Sequence, residues 1–255
     1  MILHEYKLLF IHIPKNAGTS IEKALGNQHN RFKYGHNHDH RTLRQYTPFT
    51  LSPERFWPAS NLYETLHHLN HRLKGRINPI AENEDWLTPK QFSEYTRFSI
   101  VRNPWSRVYS WYNNVIADEN HRKAHGIAPD EEPSLKDFLL TYKDSWGLHT
   151  QLYWLKDFSG KPDIHFIGFQ ETLQQSFDEF SKIQNLSPAK LPHAYKGNAP
   201  SYLQAYDEQS KHIVAERYAE EIKLFNYTFE GRNSKEILLS PGTIQEKIKT
   251  VQFSH

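Results

Sequence analysis

The chain has 255 residues, of which 37% are apolar, 14% aromatic and 24% charged. Its 31 basic and 29 acidic side chains leave a formal charge of +2, which excludes a histone-like polycation that holds nucleic acid by charge alone. Cysteine is absent, so disulfide scaffolds, thiolate nucleophiles, cysteine-ligated zinc and iron–sulfur clusters are excluded, and any chemistry rests on oxygen, imidazole, amine or guanidinium groups.

Residues 7–13 read as a short buried strand ended by Pro14, and residues 19–25 as the helix that follows. Strand, glycine-containing turn and helix at the start of a chain point to an α/β fold with a parallel sheet. Residues 31–44 are polar and rich in histidine and read as a loop and a short helix. Residues 47–90 carry Pro48, Pro53, Pro58, Pro79 and Pro89 and little periodicity beyond a helix over 62–73. They are expected to form an insertion or cap, the kind of segment that often carries substrate contacts.

A second strand is expected at 98–101, with Pro104 opening a helix over 105–116. The charged stretch 118–133 reads as exposed and is followed by helices at 135–142 and 145–155. A third strand, 164–169, follows a turn at Gly160-Lys161-Pro162-Asp163. Leu173, Phe177, Phe180 and Ile183 recur at helical spacing, residues 187–202 form a loop, and 206–224 is the longest helical pattern. Residues 231–255 read as a polar tail, and the whole of 1–255 as one domain. No apolar run approaches the roughly 20 residues of a membrane helix. The start, Met1 to Glu5, lacks the positive charge of an export signal, so a cytoplasmic protein without a membrane or nucleic-acid partner is expected.

Two segments carry chemistry. In His12-Ile13-Pro14-Lys15-Asn16-Ala17-Gly18-Thr19-Ser20, a strand-to-helix loop can aim several backbone N–H groups at one anion. Gly18 permits close approach, Lys15 supplies a mobile charge, and Thr19 and Ser20 supply hydroxyls. The lysine precedes the glycine, so this is not the nucleoside-triphosphatase loop, and no serine-held Mg²⁺ is expected. In the second, residues 101–110, Arg102 stands at a strand end, where open sheets bind ligands, and Ser110 lies about two helical turns on. Together they could clamp a second phosphate; Arg107 could equally serve in a structural salt bridge.

In order, these segments resemble the PAPS-dependent sulfotransferases, in particular the carbohydrate-type branch that includes heparan sulfate 2-O-sulfotransferases and bacterial relatives. The first is similar to that family's 5'-phosphosulfate loop, with Asn16 in place of the usual threonine, and the run Val101 to Ser110 matches its 3'-phosphate pattern V-R-[ND]-P-x-x-R-x-x-S in full. Residues 163–173 and 221–229 resemble two later segments, although Phe169 and Gln170 depart from the first of these and an arginine is missing there. The resemblance implies a P-loop-like three-layer sandwich with a central parallel sheet and sulfuryl transfer from 3'-phosphoadenosine 5'-phosphosulfate (PAPS). The product would be 3'-phosphoadenosine 5'-phosphate (PAP), and no metal would be required. It implies that Lys15 contacts the leaving phosphate, that Asn16, Ala17, Gly18, Thr19 and Ser20 cradle the 5'-phosphosulfate, and that Arg102 and Ser110 hold the 3'-phosphate. Lys196 and Gly197 are candidates for a loop closing over the nucleotide.

Sulfuryl transfer needs a base, and histidine suits neutral pH. His36 follows Tyr34-Gly35, similar to a Gly-His pair in the 2-O branch; His38 and His40 compete with it, and spacing does not separate the three. Their alternation is also compatible with a metal face or with exposed loop residues. The acceptor is a hydroxyl-bearing glycan or small molecule, for which Trp57, Trp86, Trp105 and Trp111 could stack on a ring unless they are core. The rivals are a nucleotide-dependent phosphotransferase and a non-catalytic glycan- or nucleotide-binding module.

Overall fold

The computed structural model describes residues 1–26, 40–77, 86–187, 189–192 and 201–252. Among the described residues, five strands lie in chain order in one sheet: Ile2–Leu3 (β1), Leu8–Ile11 (β2), Thr96–Val101 (β3), Phe166–Phe169 (β4) and Leu238–Leu239 (β5). The three inner strands pair in parallel. The two-residue edge strands pair antiparallel, so the sheet is mixed. β2 and β4 are near-continuous apolar runs because both of their faces are covered, whereas β3 mixes Phe98, Ile100 and Val101 with Thr96, Arg97 and Ser99.

In chain order the helices are Gly18–Ala24 (α1), Leu43–Tyr46 (α2), Ala59–Ile77 (α3), Pro89–Glu94 (α4), Pro104–Ala117 (α5) and Glu119–His125 (α6). They continue with Leu135–Thr141 (α7), Gln151–Leu155 (α8), Leu173–Ile183 (α9), Glu208–Arg217 (α10), Ala219–Phe225 (α11) and Pro241–Gln252 (α12). On one face of the sheet, Leu8, Phe10, Phe98 and Ile100 pack against Ile21 of α1 and Phe177 and Phe180 of α9. Phe10, Phe98 and Phe166 stand opposite one another across β2, β3 and β4, and Phe180 stacks on Phe98 with ring centroids 3.9 Å apart. On the other face, Leu9, Ile11, Val101, Ile167 and Phe169 meet side chains of α2, α8, α11 and α12. Each such fully buried side chain contributes about 1.5–3 kcal/mol. A third cluster joins α5, α7 and α10 through Val108, Trp111, Leu139 and Val214.

The α/β class expected from the sequence is found, and three strands lie close to their expected places. The helix expected over 62–73 is found and is longer, the 19-residue α3, whose buried side chains among the described ones are the polar Asn61, Glu64, Thr65 and His68. One region differs. The polar tail carries β5 and α12, and it enters the core through Leu239 and Ile244. Two side chains suffice for that, which leaves the composition of the segment polar. The long pattern over 206–224 is divided at Tyr218, which ends α10 and opens α11. Among the described residues, no helix is long and apolar enough to cross a membrane.

Candidate functional site

β2 runs into α1 through a turn in which Lys15 has φ 68° and Ala17 φ 61°, while Asn16 and Gly18 keep negative φ. Residues alternating in the sign of φ turn successive N–H groups to one side, the concave arrangement that receives an anion. Gly18 is needed for close approach: a Cβ there would lie 2.0 Å from Cδ2 of the His12 ring. That ring is buried, and its Nδ1 lies 2.8 Å from Oε1 of buried Glu22 in α1. The pair pins the end of β2 to the helix beneath the turn.

β3 ends beside it. Asn103 caps α5, its side chain accepting from the Trp105 and Ser106 amides, and Pro104 takes the first helical position. The chain therefore changes direction at Arg102. The Arg102 Nη1 donates to the Lys15 carbonyl at 2.9 Å, and its Nε donates to Ser106 Oγ at 3.0 Å. Lys15 Nζ donates to Asn114 Oδ1 at 2.8 Å. Ser106, Ser110 and Asn114 are spaced four residues apart, one face of α5. Both ends of this row contact the two cations, so half-buried Ser110 lies between those contacts. Arg107, fully buried, donates to the Pro14, His149 and Gly147 carbonyls. Of its two readings the structural one holds, with carbonyls instead of a carboxylate as partners.

One buried amide joins the two strand ends. Gln151 Oε1 accepts from Asn16 Nδ2 at 2.7 Å and from the Arg102 amide at 2.8 Å. Its Nε2 donates to the Arg102 carbonyl and to Glu221 Oε1, each at 2.9 Å. Asn16 Nδ2 also donates to the Ile100 carbonyl, so both side-chain N–H bonds of Asn16 are committed to the protein. Burial raises the Glu221 pKa above the usual carboxylate range. Sequence reasoning missed Gln151, Glu221 and Asn114. Asn114 had a signal, as the next member of the row from Ser106 through Ser110, and Glu221 opens the segment 221–229 that resembles a later family segment; Gln151 had none.

Burial, and then the Arg102 charge, lowers the Lys15 pKa to about 8. Burial likewise lowers Arg102, partly offset by Glu171, which accepts from the Asn103 amide at 2.7 Å. Among the described residues, neither Lys15 nor Arg102 has a carboxylate at ion-pair distance, and Arg102 Nη2 has no protein partner.

His40 lies against the same loop. Its Nδ1 is 2.9 Å from the His12 carbonyl oxygen, its ring centroid 4.3 Å from that of His12 and 5.3 Å from that of Trp146. A carbonyl only accepts, so Nδ1 carries the proton and the lone pair of neutral His40 is on Nε2. His36, His38, Lys196 and Gly197 lie outside the described residues, within which no group of histidines and carboxylates could hold a metal ion. Trp105 and Trp111 are core residues, whereas Trp57 is 79% exposed.

A model described as "Sulfotransferase family" matches residues 1–228, from the first strand through the last residues before the C-terminal strand and helix. No curated protein and no solved structure matches the chain. The matched span holds the turn at Lys15, the strand end at Arg102 and the Gln151 amide between them, and the chain belongs to the sulfotransferase family.

Proposed function

We propose that the chain transfers the sulfuryl group of PAPS to a hydroxyl of a carbohydrate or small-molecule acceptor by in-line displacement, with a histidine base and without a metal. The reading is carried by the joining of the two strand ends, where Lys15 and Arg102 are held only by neutral oxygens and adjoin a turn of alternating backbone sign. These residues fit a donor bearing two phosphate-type groups. The fit rests on the backbone and the cations. Asn16 contributes through its backbone, since its amide N–H bonds are committed and its buried Oδ1 is an acceptor. Helices on both faces of the sheet support a P-loop-like three-layer sandwich. The absence of cysteine is compatible with the reducing cytoplasm.

PAPS supplies an activated sulfuryl group on a phosphate leaving group. Lys15 neutralises charge building on that phosphate, as preorganised donors do where charge develops. The backbone N–H groups of residues 16–20 orient the 5' end, and Arg102 with Ser110 holds the 3'-phosphate. His40 Nε2 takes the acceptor proton; His36 and His38 are its competitors.

Calorimetry with PAP and with ADP tests the donor. PAP should bind at least about tenfold more tightly, and equal or tighter binding of ADP would refute a sulfotransferase in favour of a phosphotransferase. Transfer of ³⁵S from labelled PAPS to a panel of glycans, phenols and alcohols tests the chemistry. In H40A turnover should fall by about 10²–10⁴ with PAP binding retained. A fully active H40A beside an inactive H36A or H38A would move the base to the inactive position.

A further inference from the structure

The register between β2 and β3 ends at Ile11 opposite Ser99. Lys15, Asn16 and Arg102 lie beyond that last pair, so the strand ladder does not fix the distance between the two turns. Side chains do so instead. Asn16 in the first turn reaches the Ile100 carbonyl of β3 and Gln151, and Gln151 holds the amide and the carbonyl of Arg102. The Arg102 guanidinium also donates to the Lys15 carbonyl, but that group faces the ligand and is not an independent spacer.

Each of the two side-chain amides has one possible orientation. Asn16 Nδ2 faces two acceptors, and turned over it would set its oxygen against both. Gln151 Oε1 faces two donors, Asn16 Nδ2 and the Arg102 amide, while its Nε2 faces the Arg102 carbonyl and Glu221. The Gln151 backbone N–H opens α8, where a helix offers it no internal acceptor, and it bonds the second Glu221 oxygen. Asn16 is 1% exposed, and Gln151 and Glu221 are fully buried, so none of these groups is placed to touch a ligand through its side-chain N–H. A threonine at position 16 would bring a single O–H donor and could not serve Ile100 and Gln151 together. Asparagine there adds a bond between the turns where a hydroxyl would not.

We propose that Gln151, acting through Asn16 and the Arg102 backbone, is a positioning residue that sets the spacing of the two anion-binding turns. The site thereby selects a ligand phosphorylated at both its 3' and 5' ends by coupling the turns, beyond what each contributes alone. Once one phosphate is seated, the second binds at an effective concentration set by how well the turns match the span between them. A loosened spacing loses that coupling, while either turn alone still receives one phosphate. This inference rests on the sulfuryl-transfer reading above and assigns its donor selectivity to residues outside the contact surface.

The test titrates PAP, 5'-AMP and 3'-AMP by calorimetry into the wild-type protein, Q151M and N16A, with near-ultraviolet circular dichroism as the control for folding. Q151M keeps the length of the side chain and removes all of its hydrogen bonds. N16A leaves Gln151 bonded to Arg102 and Glu221 and cuts only the side-chain links from the first turn. In both variants PAP should bind at least about tenfold more weakly, and each monophosphate should change by less than about threefold. If Q151M does not fold, N16A decides. Equal weakening of all three nucleotides would make Gln151 a general support of the turns and overturn the coupling, as would unchanged PAP affinity. In both cases wild-type preference for PAP over the monophosphates leaves the donor reading standing. A wild-type protein that binds PAP no more tightly than 5'-AMP would overturn that reading and this inference with it.

Discussion

Arg102 and Arg44 are cations beside the same sheet, and their partners differ in kind. Arg44 donates to Asn61 Oδ1 and to the Tyr153 carbonyl, and its Nη2 is 3.6 Å from the carboxylate of Glu64. Glu64 is 1% exposed and also accepts from Thr42, Gln45 and the Tyr153 hydroxyl. Among the described residues, Arg102 and Lys15 meet only carbonyl, hydroxyl and amide oxygens. A cation paired with a buried carboxylate is neutralised within the fold. One held by neutral oxygens keeps its charge for a ligand and bears the desolvation penalty until that ligand arrives.

The largest effect on turnover should separate these roles at Lys15. K15M is expected to lower ³⁵S transfer by about 10²–10³, the scale of losing one donor at a developing charge. Its thermal unfolding near pH 7 should be unchanged or shifted upward. The folded pKa, about 8, lies below the ordinary 10.5, so the unfolded chain holds this proton more tightly. The resulting penalty is fully present below pH 8 and disappears as pH rises toward 10.5. By the same sign, PAP affinity should fall as pH rises through about 8, and K15M should lose that component. A lowered melting point in K15M would make Lys15 a structural residue and end the contrast.

E64A should behave in the opposite way. Removing the carboxylate leaves Arg44 buried and unpaired, at a cost of about 3–5 kcal/mol in urea denaturation, with PAP affinity retained by the folded fraction. Next in size is R102M, which removes charge-assisted hydrogen bonds worth about 1.5–3 kcal/mol. It should weaken PAP about 10- to 100-fold and ADP much less, as read by calorimetry. The smallest effect belongs to L66S on α3. Leu66 is 57% exposed, and the change should stay within about 0.5 kcal/mol by urea denaturation. A larger loss would mean that the outer leucines of α3 hold the fold.

That helix marks the boundary of what sequence could tell. β2, β3 and β4 were legible because buried parallel strands are short apolar stretches, in β3 the Phe98, Ile100 and Val101 end, punctuated here by Pro14, Pro104 and the turn at Gly160. Lys15, Asn16 and Arg102 could be singled out because each follows a strand and precedes a helix. α3 inverts the rule. It buries Asn61, Glu64, Thr65 and His68 and exposes Leu62, Tyr63, Leu66 and Leu73, so a hydrophobic pattern points its face the wrong way. β1 and β5 are two residues each, too short for any period to register. Gln151 was out of reach for another reason: its amide contacts residues far apart in the chain, and nothing in its own neighbourhood announces that.

The Gln151 side chain donates to the Arg102 carbonyl and Glu221 Oε1, and accepts from Asn16 Nδ2 and the Arg102 amide. The Gln151 amide N–H adds a further bond to Glu221 Oε2 at 2.6 Å. The turns at Asn16 and Arg102 and α11 therefore share one latch. None of these segments can open alone without leaving buried polar groups exposed to one another and to no water, so their amides should exchange with solvent as a single cooperative unit. The chain meets its ligand on a floor that opens all at once or stays shut.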